Sequence, residues 1–95
     1  MIARPTTKSC ILDGAALADA PAVYRALGDA LGAPAYFGHN PDALWDAIGD
    51  YHGEPVEIVW RHSAQSAARL GPGFEQIVAV LRRAEQEGRA KLRLD

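Results

Sequence analysis

Three short apolar segments, separated by long stretches with helical periodicity, are the feature that most limits how this chain can fold. The segments are residues 9–12, 55–60 and 92–94. The stretches between them are too long for tight hairpins, and each contains two helical patterns. Strands joined by helical crossovers run parallel. The sequence therefore predicts an α/β fold with a three-stranded parallel sheet packed by about four helices, in strand-helix-helix-strand-helix-helix-strand order.

Capping residues mark the ends of the predicted helices. Asp19 can accept a hydrogen bond at the start of the first helix, and Gly32 supplies a C-terminal stop. Asn40 and Pro41 give the second helix an N-cap followed by proline at its first position. We expect the second helix to end at Gly49. The predicted helices cover residues 20–31, 41–48, 62–70 and, after a Gly-Pro-Gly break, 74–87.

Length and composition predict one domain. The chain has 95 residues, of which 48% are hydrophobic, and we assign residues 8–95 to a single domain and 1–7 to a loose N-terminal segment. The single cysteine, Cys10, excludes an intramolecular disulfide framework and is typical of a reducing compartment. The sequence shows no signal-peptide pattern and no apolar run of roughly 18 residues. We therefore expect a cytoplasmic protein with no membrane association.

Charge is distributed unevenly along the chain, although the formal net charge is only −2. Residues 13–57 contain eight acidic residues and one basic residue, whereas residues 58–95 contain seven basic and four acidic residues. A nearly neutral protein with a strongly acidic half is a candidate for binding a basic partner.

The acidic residues are concentrated around the second predicted helix. Asp42, Asp46, Asp50 and Glu54 recur every four residues, and neither lysine nor arginine occurs between residues 39 and 57. Like charges at this spacing repel one another within a helix. A solvated acidic face would explain the pattern, but aromatic residues among acids are also typical of binding surfaces. Both interpretations remain open from the residue pattern alone. The aromatic residues are Tyr36, Phe37, Trp45 and Tyr51.

Catalysis, metal binding and nucleic-acid binding have weaker support. The carboxylates have no histidine, serine or cysteine at a recognisable catalytic spacing, and no glycine-rich nucleotide loop is present. His39, His52 and His62 form no metal-ligand spacing with Cys10 or with one another. The basic residues near the C-terminus are interleaved with acids, which is typical of a solvated surface. We expect a protein that is not an enzyme, has no cofactor or metal, and binds no nucleic acid.

Residues 36–46, Tyr-Phe-Gly-His-Asn-Pro-Asp-Ala-Leu-Trp-Asp, closely resemble the loop-and-helix signature of the barstar family, the intracellular inhibitors of secreted bacterial ribonucleases. The resemblance extends from about Ile11 to the C-terminus. Three further segments match in place: Leu12-Asp13-Gly14, Pro55 with the strand to Trp60-Arg61, and Ala84-x-x-Glu87-Gly88. This resemblance implies the barstar-like version of the predicted fold.

The resemblance also implies a function, which is to block the active site of a barnase-like ribonuclease in a 1:1 complex. Asp46 would be the central acid, occupying the place of the RNA phosphate, and Asp42 would pair with neighbouring basic residues. Tyr36 would pack near the catalytic histidine of the enzyme. The complete set of residues implied to bind the partner is Tyr36, Gly38, Asn40, Pro41, Asp42, Trp45, Asp46, Tyr51 and Glu87.

Two residues depart from the family pattern. Arg83 stands where the best-known member has an acidic interface residue, and His39 also replaces an acid. The Arg83 difference implies weaker binding to that member's nuclease or a different partner. An immunity module for another nuclease toxin and a non-inhibitory regulatory module therefore remain alternatives. We expect the protein to be monomeric when free.

Overall fold

The computed structural model describes residues 9–34, 37–51 and 55–95. The expected loose segment at residues 1–7 lies outside these ranges. Tyr36, His52 and Glu54, which were singled out from the sequence, also lie outside them.

The order of strands and helices is the predicted one. The first half contains β1 (Ser9–Asp13), α1 (Ala20–Leu31) and α2 (Pro41–Asp50). The second half contains β2 (Val56–Arg61), α3 (Ser63–Leu70), α4 (Pro72–Gln86) and β3 (Ala90–Leu94).

The three strands form one parallel sheet in the order β1-β2-β3. Cys10, Ile58 and Leu92 lie side by side across the sheet and are buried. The next row contains Ile11 and Arg93, both exposed, on either side of a half-buried residue of β2. The helices therefore cover one face of the sheet. Right-handed crossovers explain this arrangement, because two successive steps in the same direction place both helix pairs on the same face.

The core lies between this sheet face and the helices. Its completely buried apolar side chains come from β1, β2, α1, α2 and α4, and they belong to one cluster. Trp60 on β2 is the largest of them, and its ring meets that of Phe74 on α4 edge to face at 4.9 Å between centroids. The other apolar side chains with 0% exposure are Leu12, Val23, Leu27, Leu44, Ile77, Leu81 and Ala84.

Four predicted helix boundaries were wrong by one or two residues, and the two larger differences have identifiable causes. The second helix continues through Gly49 and includes Asp50 before Tyr51 ends it with an extended backbone. Glycine weakens a helix interior by only about 1 kcal/mol, which one more helical hydrogen bond and packing can offset. The fourth helix begins at Pro72 rather than Phe74, because proline is tolerated in a first turn and Gly71, at φ 58°, already separates it from α3.

Side chains from α4 cover part of the exposed edge of β3. Glu85 accepts a hydrogen bond of 3.1 Å from the Leu92 backbone N–H. Arg82 forms a salt bridge of 3.1 Å with Glu85 and also donates to the Leu92 carbonyl at 3.5 Å. Side chains of α4 thereby provide hydrogen-bond partners for the N–H and the carbonyl of Leu92, which do not face β2.

Within residues 9–34, 37–51 and 55–95, no helix is both long and apolar enough to cross a membrane. The same residues contain no group of three or more histidine, cysteine, aspartate or glutamate side chains arranged to hold a metal ion.

Candidate functional site

The start of α2 is fixed by its own sequence. The Asn40 side chain accepts a hydrogen bond of 2.8 Å from the Ala43 backbone N–H, so the predicted N-cap is confirmed. Pro41 occupies the first turn, where its missing N–H removes no helical hydrogen bond. Leu44 and Ile48 are buried one turn apart and hold the inner face of the helix against the core. The outer face is thus presented in a defined orientation.

The carboxylates on the outer face of α2 are exposed and unneutralised. Asp42, Asp46 and Asp50 form no ion pair with any residue in the described part of the chain. By contrast, Glu85 and Glu87 on and after α4 are each paired with arginine. Asp42 lies in the first turn, where the helix dipole favours it, whereas Asp46 gains little from the dipole and Asp50, at the C-terminal end, is disfavoured by it. The helix therefore carries an outward negative charge that the described residues do not neutralise.

The segment leading into α2 is packed tightly at Gly38. A Cβ atom at residue 38 would lie 2.9 Å from Asn40 Nδ2 and 3.3 Å from Ala43 Cβ. The Asn40 side chain cannot move away freely, because its oxygen caps the helix. Gly38 is therefore required by the local packing as well as being a predicted partner contact.

Aromatic packing attaches the same segment to α1. Phe37 packs so closely over Gly28 that a Cβ atom at residue 28 would lie 2.8 Å from its ring. The His39 ring is stacked parallel to that of Tyr24, with 6.3 Å between the ring centroids. Tyr24 is buried in α1, and this burial raises the pKa of its hydroxyl. The described part of the loop is thus supported by α1 and α2 together.

A small groove lies between this loop and α2. It has a volume of about 280 Å³ and is mostly apolar, with two carboxylate residues of α2 contributing to its wall. A groove of this kind could accept a flat cationic side chain, such as an arginine guanidinium or a protonated histidine ring. The apolar wall of the groove would cover the flat group, and the two carboxylates would balance its charge. The lining residues are Pro34, Phe37, Gly38, Ala43, Asp46, Ala47 and Asp50.

Trp45 is in contact with α4 through Arg83. The Arg83 guanidinium carbon lies 4.2 Å from the centroid of the Trp45 ring, a cation–π geometry. Arg83 also approaches Glu87 at 3.7 Å, and Glu87 approaches Arg89 at 3.8 Å. This contact brings the end of α4 to the border of the acidic helix face.

The predicted partner-binding residues occupy two adjoining places in the structure. Most lie on α2 or the segment before it: Gly38, Asn40, Pro41, Asp42, Trp45 and Asp46. Half-buried Tyr51 ends α2, donating its backbone N–H to the Ile48 carbonyl at 3.3 Å. Glu87 lies just after α4 and joins this group through Arg83. Tyr36 lies outside the described residues. The binding roles of all nine residues remain predictions.

The sequence pattern did not indicate the contact between Arg83 and Trp45. The basic residues near the C-terminus lack an aromatic neighbour within their own segment, so they resembled a solvated surface. The aromatic ring comes instead from α2, and only the packing of α2 on α4 brings the two together. Charge reversal at residue 83, relative to the family, was the one signal available from the sequence.

Comparison with known proteins agrees with this architecture. Residues 7–94 match the family model described as Barstar (barnase inhibitor). This chain therefore belongs to the barstar family. A Bacillus subtilis (strain 168) protein named "Putative ribonuclease inhibitor YrdF" is 29% identical to it over 80 residues, which cover 84% of this chain and 88% of that protein.

Proposed function

We propose that this protein inhibits a secreted bacterial ribonuclease of the barnase-like kind by covering its active site in a 1:1 complex. The observation that carries the proposal is the set of exposed carboxylates on α2 that form no ion pair among the described residues. The N-cap fixes the start of this helix, and core packing fixes its inner face. Membership in the barstar family supports the same function, since its description is that of a nuclease inhibitor.

The charge on α2 suits such a target for a physical reason. A ribonuclease must attract a polyanion, so its active site carries fixed positive charge. A rigid negative surface accelerates the encounter with such a site through long-range attraction. Because Asp42 and Asp46 form no ion pair within the described part of the chain, no such internal bond has to be broken when they meet a basic partner.

The residues contribute in different ways. We assign Asp46 as the central acid because the family resemblance implies that role; its exposed position at the border of the groove, which Asp50 shares, is compatible with it. Asp42 flanks it one turn earlier, and Trp45 between them adds apolar contact area. Gly38 permits close backbone approach, while Asn40 and Pro41 fix the position of the helix. Tyr36 packs near the catalytic histidine of the nuclease, while Tyr51 and Glu87 lie at the periphery of the contact.

The cytoplasm is the expected location within this proposal. A cell that secretes a ribonuclease has to protect its own RNA before export, and an inhibitor kept inside the cell would act as an immunity protein. The buried single cysteine, Cys10, is compatible with a reducing compartment. The inhibitor itself performs no catalysis in this scheme, and the free protein is a monomer.

One observation favours a second candidate function. Arg83 places a positive charge beside the acidic helix face, which a uniformly basic nuclease site would not favour. An immunity module for a different nuclease toxin would explain this residue, and so would a regulatory module that no longer inhibits.

Inhibition can be measured directly by titrating the purified protein into barnase and following cleavage of RNA. We expect inhibition that reaches completion at one equivalent. Asp46→Asn should lose it while remaining folded. Glu75→Gln is the matched control, because Glu75 is an exposed acid in the first turn of α4 and lies outside the proposed surface.

Unchanged inhibition by a folded Asp46→Asn protein would remove Asp46 from its proposed role. Absence of inhibition by the unaltered protein, for barnase and for other guanyl-specific microbial ribonucleases, would favour the second candidate function.

A further inference from the structure

We infer that Arg83 determines which nuclease this protein binds, and that the matching nuclease presents a carboxylate against it. This inference rests on the proposed function, since it assigns a further residue and a partner chemistry to the same surface. It follows from the position of Arg83, from the state of its charge and from the way in which its side chain is held.

The position of Arg83 is at the border of the acidic face. Its guanidinium lies over the ring of Trp45, at 4.2 Å from the centroid. Trp45 is the residue immediately before Asp46 and lies one turn after Asp42. A partner that contacts both acids and Trp45 must therefore approach the guanidinium of Arg83.

The charge of Arg83 is only partly balanced within the protein. Its ion pair in the described part of the chain is with Glu87 at 3.7 Å, and Glu87 is shared with Arg89 at 3.8 Å. The Arg83 side chain is 63% exposed. Two arginines around one glutamate leave a net positive charge at the end of α4. The surface offered to a partner thus has a negative centre on α2 and a positive border.

The side chain is also held in place before any partner arrives. The guanidinium lies over the Trp45 ring, and its Nε is 3.7 Å from a carboxylate oxygen of Glu87. A charged group that is already positioned loses less conformational entropy on binding than a mobile one. Burying it against a second cation would be unfavourable, whereas a carboxylate would meet a prepared site. A fitting nuclease therefore combines a basic centre with an acidic residue at one side of its active site.

A charge-swap experiment with barnase as the probe tests this. Each basic residue bordering the barnase active site is changed in turn to glutamate, and the affinity of each variant is measured by calorimetry. We expect at least one variant to bind the unaltered protein about tenfold more tightly than barnase does, as expected for a new close charge pair. Arg83→Glu should reverse that preference and bind unmodified barnase more tightly.

Arg93→Glu provides the matched control. It makes the same change of charge on β3, at an exposed arginine whose ion pair is with Asp95. It should change all affinities by similar small amounts. Arg83→Met, which keeps an unbranched chain over Trp45 without the charge, should abolish the preference in both directions.

The outcomes separate this inference from the proposed function. If no glutamate variant gains affinity while Asp46→Asn still loses binding, the inference is overturned and the proposed function stands. If Arg83→Glu lowers the thermal unfolding temperature but leaves every affinity unchanged, Arg83 has only a structural role. If the unaltered protein binds neither barnase nor any variant, the proposed function fails, and the inference fails with it.

Discussion

The Nε1–H group of Trp60 donates a hydrogen bond of 2.8 Å to Ser66 Oγ, and both side chains have 0% exposure. This bond connects the central strand β2 to α3 inside the apolar core. Ser66 is the one buried polar residue among those described, and its hydroxyl allows the indole N–H to be buried with a partner. In the described part of the chain, no buried side-chain nitrogen or oxygen lacks such a partner.

Ser66→Ala should lower the free energy of unfolding by about 1–3 kcal/mol, because it leaves the Trp60 N–H buried without an acceptor. Denaturation in urea, followed by tryptophan fluorescence, measures the change. Ser63→Ala is the control, since Ser63 bonds the Asp95 carbonyl at an exposed position. Equal losses of unfolding free energy in the two variants would mean that the buried hydrogen bond stabilises the fold no more than the exposed one.

Gly14→Ala should be strongly destabilising, by about 1–3 kcal/mol or more as an overpacking substitution. A Cβ atom at residue 14 would overlap the His62 carbonyl oxygen and lie 2.5 Å from Ser66 Oγ. The contrasting variant is Gly49→Ala, because residue 49 lies in α2 and, beyond its chain neighbours and the nearby helix backbone, no described atom lies within 4 Å of the added carbon. The free energy of unfolding of that variant should rise by about 0.5–1 kcal/mol. Thermal unfolding of both proteins checks the predicted opposite signs.

Stability should decrease in acid through Glu85. The hydrogen bond from the Leu92 backbone N–H, and then Arg82, lower the pKa of Glu85 from its usual 4.5. The ionised carboxylate therefore favours the folded state above pH 4.5, and this contribution is lost as pH falls through the lowered folded pKa. Glu85→Gln should remove that part of the pH dependence. Unfolding free energies of both proteins between neutral pH and acid should differ most at neutral pH and converge in acid, and a constant difference would contradict the assignment.

Asp42 and Glu87, although both are predicted partner contacts, should differ in their effect on binding. Asp42→Asn removes a charge that has no ion pair with any residue the structure describes, and it should slow association with a basic nuclease. Glu87→Gln removes a charge already engaged by Arg83 and Arg89, and should weaken binding less. Close charge pairs between barnase and barstar, the protein after which this family is named, have measured coupling energies of about 1.5–7 kcal/mol. Stopped-flow association rates at low and high salt would distinguish the two residues, and equal effects would contradict the difference in pairing.

Local signals in the sequence were sufficient for the order of elements and for the start of each of the first two helices. Asp19 and Asn40 cap those helices as expected, because capping depends on residues only three positions apart. The second helix was predicted to stop at Gly49, since the propensity of glycine does not include the packing that carries the helix on to Asp50.

The candidate site was predictable only where neighbouring residues define it. The spacing of Asp42 and Asp46 on one helix is a local property, and both are exposed in the structure. The stacking of Arg83 on Trp45 depends instead on how α4 packs against α2, which no local pattern specifies. The same is true of Phe37 over Gly28, where the turn after α1 brings the ring so close that a Cβ atom at residue 28 would force it to shift.

Arg82 and Glu85 form the two hydrogen bonds that a fourth strand would otherwise form with Leu92. Glu85 accepts from the Leu92 backbone N–H, and Arg82 donates to the Leu92 carbonyl. A strand arriving from another molecule would have to displace a salt bridge before it could extend the sheet at this position. Growth of the sheet by addition of foreign strands is therefore discouraged at β3. The edge of the sheet at Leu92 is in this way protected from indiscriminate pairing with strands of other molecules.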